Sequence, residues 1–175
     1  MEVGVKGFEG AFAFDIEKAV NVGDQGRLVF VASGVGITPL LSQAEVLKRK
    51  ELMKRVTVFW SLRAEDLDFA VDMLGKDTDV AKRVKLFATG MREDNAANSA
   101  QENPTTTTLQ QLRQLCFSVE TRRFMEEDFL DLKPTSQATP PADQVLVCAS
   151  LQVNALVKQW LQKLGVNAVT EDFAY

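Results

Sequence analysis

The sequence predicts an α/β domain of three layers, a five-stranded parallel sheet covered by helices on both faces, and three observations support this. Apolar runs rich in β-branched residues recur as LVFVA (28–32), RVTVFWS (55–61), VKLFAT (84–89) and VLVCA (145–149). They lack polar alternation, as suits strands buried on both faces. Between them lie stretches with a single apolar stripe at helical spacing, and strands alternating with helices imply right-handed crossovers in a parallel sheet.

The elements follow in order. Residues 1–27 read as short extended pieces, MEVGV and AFAF, before the polar turn NVGDQG; they suit an edge hairpin or the last strand of another domain. The domain proper spans 28–175. The first strand is followed by a helix from Thr38 to about Met53, with Leu40, Ala44 and Leu47 on one face. After the second strand, Leu67, Ala70, Val71 and Leu74 mark a second helix, and the third strand ends at Thr89. Residues 91–108, polar and closing in a threonine run, read as a flexible surface insertion. A short helix is expected from Thr108 to about Leu115 and another from Arg123 to Leu132. The fourth strand leads into the clearest helix, Leu151 to Leu164, which Gly165 stops. Asn167 to Phe173 completes the sheet.

Composition removes several classes of function. The 175 residues are 46% hydrophobic and 25% charged, ordinary for a globular domain. The formal charge of −4 and the lack of a dense Lys/Arg cluster argue against nucleic acid. No apolar run approaches the roughly 20 residues of a membrane span, and the start resembles no signal peptide, so an intracellular setting, cytoplasmic or mitochondrial, is expected. The chain has no histidine, and Cys116 and Cys148 lie far apart. Acyl transfer by Ser33 or Ser150 therefore lacks its usual base, and a metal centre lacks its usual ligands.

Chemistry concentrates at LVFVASGVGITPLL, residues 28–41. Gly34 and Gly36 permit a tight turn that a ligand can approach closely. Thr38 suits an N-cap and Pro39 a first helical residue, so the amides at the helix start face the turn and form an anion site. In a parallel sheet ligands gather beyond the carboxyl ends of the strands, here 33–38, 60–63, 89–91 and 148–150.

Four segments in this order resemble the nucleotide-binding half of the ferredoxin–NADP reductase superfamily, which includes cytochrome b5 reductases, flavohaemoglobin reductase modules and oxygenase reductases. SGVGITPLLS is similar to its GGVGITP turn, TVFWSLRAEDLDF to its second strand, VLVCAS to its Cys-Gly-Pro strand end, and EDFAY to its aromatic C-terminus. The resemblance covers about Leu28 to Tyr175. It implies a ferredoxin reductase-like NAD(P)-binding domain whose residues Ser33, Gly34, Val35, Gly36, Ile37, Thr38 and Pro39 line the pyrophosphate and nicotinamide of NAD(P)H. Ser61 and Arg63 are placed near the adenosine ribose, although Arg63 equally suits a surface salt bridge with Glu65 or Asp66. Cys148, with Ala149 and Ser150, is placed beside the nicotinamide, where hydride passes to FAD or FMN; a buried structural cysteine is the alternative. Phe173 or Tyr175 suits stacking on the flavin, or core packing and a chain end.

The sequence departs from that pattern in three places. Ala149-Ser150 replaces Gly-Pro, Val153 stands where a methionine is usual, and the flavin-binding barrel with its R-x-Y-S/T motif is missing. Residues 1–27 resemble only a remnant or exit strands of such a barrel. The expected function is thus one half of a flavin-dependent NAD(P)H oxidoreductase, its flavin domain supplied in cis or in trans. A non-catalytic interaction domain on the same fold is the alternative. The choice of NADH or NADPH, the electron acceptor and the oligomeric state stay open.

Overall fold

The structure is a computed structural model and describes residues 15–21, 27–91, 104–132 and 143–172. The elements run α1 (Ile16–Asn21), β1 (Leu28–Ser33), α2 (Thr38–Arg49), β2 (Val56–Arg63), α3 (Leu67–Gly75), α4 (Thr78–Ala81), β3 (Val84–Thr89), α5 (Pro104–Leu115), β4 (Ser118–Glu120), β5 (Gln144–Ala149), α6 (Leu151–Lys163) and β6 (Ala168–Asp172). All strands pair in parallel, in the order β4-β3-β2-β1-β5-β6. The sheet therefore has six strands, one more than the sequence suggests, because the three residues of β4 extend the edge beside β3.

Strand alternation divides the core into two layers. Phe30, Trp60, Leu86 and Cys148 face the layer that includes buried residues of α1 to α5, while Val31, Phe59, Phe87 and Val147 face α6 and the turn at Phe129. The two central apolar runs, 28–32 and 145–149, are at most 2% exposed, as a doubly covered parallel sheet requires.

Four local expectations change. Helix α2 stops at Arg49 because Glu51 takes a left-handed conformation, φ 56°, and the Leu52 amide reaches back to the Leu47 carbonyl at 2.8 Å. Pro104–Thr108, read as the end of a flexible insertion, instead opens α5, and Thr108 is buried with its hydroxyl on Asp68 at 2.9 Å. The helix expected at 123–132 shrinks to a 3-10 turn, Glu126–Phe129. Within 1–27, Ile16–Asn21 is helical, not extended, and Ile16 is fully buried in the core; residues 1–14 and 22–26 lie outside the described residues, as do 92–103. Among the described residues no helix is long and apolar enough to cross a membrane.

Candidate functional site

The strand order reverses beside β1. From β1 the chain crosses by α2 to β2, while from β5 it crosses by α6 on the opposite face to β6. The connections after β1 and β5 thus leave in opposite directions, and the space between them at the carboxyl ends is the crevice where open α/β sheets bind ligands. Residues 33–38 form one wall and 149–151 the other.

Close contacts hold the walls together. The Ser150 amide donates to Ser33 Oγ at 3.1 Å. Gly36 lies against the Cys148 carbonyl so closely that a Cβ there would stand 2.0 Å from the oxygen. Gly34 serves a different purpose: its φ of +54° lets the chain turn, and the space a side chain would enter is open within 4 Å. The Trp60 indole, buried beneath the turn, fixes the Gly34 carbonyl at 2.8 Å.

Two helix starts converge here. A 3-10 turn, Gly34–Ile37, runs into α2, which puts Ile37 at the N-cap and Thr38 and Pro39 in the first turn, so that the helix begins one residue earlier than the sequence suggests. Ser33 and Ser150 stand at the caps of the 3-10 turn and of α6, and neither side chain caps its own helix. No acidic residue occupies the first turn of α2 or α6, whereas Glu17, Asp68 and Asp79 do so in α1, α3 and α4. Their positive ends are therefore uncompensated by side chains, which favours an anion between them. That pattern was present in the sequence as the absence of Asp and Glu from 33–42 and 148–155.

The structure brings most of the expected residues to this crevice. Thr38, Val35 and Ser150 are exposed, and Ser33, Gly34 and Pro39 are half-buried. Ser61 pairs in register with Ser33 across β1 and β2. Ile37 and Ala149 are buried and contribute backbone. Arg63 is exposed and ion-paired with Glu65 at 3.2 Å, the surface arrangement that its neighbours allowed. Phe173 and Tyr175 lie outside the described residues. Leu151, 59% exposed at the mouth of the crevice, entered the sequence reading only as the start of a helix.

Cys148 takes the buried position that the sequence left as its alternative. Its side chain is fully buried in the core of the sheet's first face, so what it offers the crevice is its carbonyl, under Gly36. Cys116 is also buried, which pushes its thiol up to about 12, and no disulfide joins the two. A thiol-specific reagent at mildly alkaline pH is expected to leave both unlabelled in native protein and to label both in denaturant. Stoichiometric labelling of Cys148 in native protein would show that its thiol reaches the crevice after all.

This architecture has a counterpart among solved structures. The chain is similar in fold to a flavohemoglobin from Malassezia yamatoensis, determined with bound FAD and heme. The TM-score is 0.50 at 16% sequence identity, over 90% of this chain and 34% of the flavohemoglobin. The chain thus spans about a third of that protein's length. At this identity the likeness shows the fold alone, a parallel α/β sheet covered by helices on both faces. No protein-family model and no curated protein matches the sequence.

Proposed function

We propose that this chain is the pyridine-nucleotide-binding half of a flavin-dependent NAD(P)H oxidoreductase. The observation that carries the reading is the crevice between β1 and β5, where two helix starts without capping side chains or nearby acids face one another across an open Gly34. In this reading the amides of 34–37 and the start of α6 hold the pyrophosphate. Thr38 and the 149–150 segment stand beside the nicotinamide, and Ser61 and Arg63 lie toward the adenosine ribose. The fully buried Cys148 acts as a packing and positioning residue, setting the height of Gly36 above β5. When bound, the reduced nicotinamide supplies a hydride to FAD or FMN, for which a separate domain in cis or trans is required. The exposed Val35 and Leu151, flanking the crevice, suit contact with that domain.

A second reading, an interaction domain without nucleotide chemistry, draws on the burial of the Cys148 thiol. Tryptophan fluorescence separates the two, because Trp60 is bonded to the glycine turn while Trp160 packs against Phe129. In a Trp160→Phe background, NADH or NADPH should quench Trp60 saturably at up to about millimolar nucleotide. Thr38→Asp should weaken that binding about tenfold by charge repulsion. The same change should leave stability level or raise it by about 0.3–1 kcal/mol, since an acid in the first turn favours α2. A silent Trp60 with both nucleotides, or equal affinity in Thr38→Asp, rejects the oxidoreductase reading in favour of the second.

A further inference from the structure

At the other end of the sheet, three adjacent strands are entered from basic residues: Arg27 before β1, Arg55 before β2, and Lys82-Arg83 before β3. Alternation puts Arg27, Thr57, Arg83 and Lys85 on the face of Phe59 and Phe87, beyond where its apolar core begins. Arg27, Lys82, Arg83 and Lys85 line a cleft of about 240 Å³ there, with Thr57, Phe117 and one carboxylate, Asp131.

The charge in this cleft is unbalanced. Asp131 is engaged by Arg27 at 3.3 Å, and Arg27 is anchored at 2.8 Å by the buried Asp143. Lys82, Arg83 and Lys85 make no ion pair among the described residues. Aromatic rings position the Lys85 ammonium, 5.0 Å from the Phe59 ring centre and 6.0 Å from that of Phe117. Asp128, on which its charge acts, is bound by both terminal nitrogens of Arg122. A chain of net charge −4 has thus gathered in one concavity three cations that make no ion pair among the described residues, beside an aromatic ring that is 69% exposed.

We propose that this cleft binds a diphosphate group, with its charge on Lys82, Arg83 and Lys85. Its volume is below the roughly 300–1,000 Å³ of sites for drug-sized ligands, which suits a diphosphate and excludes an enclosed dinucleotide. The group arrives either as free pyrophosphate or on a nucleoside, whose flat base then stacks on Phe117. Arginine and lysine together supply the fork and the point charge that phosphate recognition uses.

The test is an amide-resolved NMR titration of the full chain at constant ionic strength, first with inorganic pyrophosphate and then with ADP. Saturable shifts are expected at 82–85 and 117. They should weaken about tenfold in Lys82→Gln/Arg83→Gln and stay unchanged in Thr38→Asp, which separates this cleft from the glycine turn. Tighter binding of ADP that Phe117→Ala abolishes identifies the nucleoside as the source, and equal affinities identify free diphosphate. Shifts confined to 34–38, equal competition by sulfate, or unchanged affinity in the double variant overturns the proposal.

Discussion

Gly36→Val is expected to lower the stability of the protein by at least about 3 kcal/mol, the upper end of overpacking costs. The β1–α2 turn crosses the end of β5 so closely that the new Cβ would stand 2.0 Å from the Cys148 oxygen and 2.9 Å from its carbonyl carbon. Both atoms are backbone, in a strand paired on one side with β1 and on the other with β6. Retreat therefore breaks ladder hydrogen bonds, which no side-chain rotation can avoid. Against a total stability of about 5–15 kcal/mol, such a loss is a large fraction. Gly34→Ala, in contrast, meets only the left-handed backbone penalty of about 1–2 kcal/mol, because open space surrounds its Cβ position. Urea unfolding of the two variants, compared by midpoint at equal slope, checks the order. If Gly36→Val unfolds no earlier than Gly34→Ala, the contact with Cys148 does not hold the turn. Nucleotide binding lost in a Gly36 variant would accordingly report a displaced turn, so the exposed Thr38 is the cleaner probe of function.

The same contact shows what the sequence could and could not reveal. The order of apolar runs announced the parallel sheet because buried strands need uninterrupted hydrophobicity, and β1, β2, β3 and β5 follow it. β4 escaped because a three-residue edge strand, SVE, carries no such run. α5 began earlier than expected because four threonines in succession are poor helix formers, and only packing against α3, with Thr108 bonded to Asp68, selects the helix. At the site, the glycine turn was legible from local chemistry, but the roles of its two glycines were not. Whether a glycine is there for its φ or for a neighbour's approach depends on β5, more than 100 residues away. For Cys148, strand parity alone leaves open which of two equally apolar faces a side chain joins. The cations of the second cleft each looked like an ordinary solvated charge. Only strand pairing gathers Arg27, Arg83 and Lys85.

Phe129→Ala carries the other large effect, an expected loss of about 3–5 kcal/mol. Phe129 is fully buried in the Glu126–Phe129 turn, with its ring edge-on to Phe59 at 5.2 Å and to Phe124 at 6.3 Å, and tilted against Trp160 at 5.9 Å. It ties β2 to α6 on the face where that helix lies. Truncation leaves a cavity bounded by three rings, two of which, Phe59 and Phe124, are held by Phe87, so collapse is incomplete and the cost stays high. The comparison belongs at neutral pH. Burial of Asp128 acts against its charge, but hydrogen bonds from Arg122 and the Met125 amide outweigh this and hold the carboxyl below its ordinary range. The stability from that pair is present above the unfolded carboxylate pKa of about 3.9 and is lost as pH falls through the lower folded value. Because the turn leads directly to Asp131, which Arg27 engages beside the cationic cleft, Phe129→Ala should also weaken diphosphate binding there. Quenching of Trp60 at the glycine turn, on the opposite end and face of the sheet, should persist in the fraction that remains folded. Loss of Trp60 quenching without loss of the diphosphate shifts would place the aromatic cluster in control of the wrong end of the sheet, and with it reject the separation of the two sites.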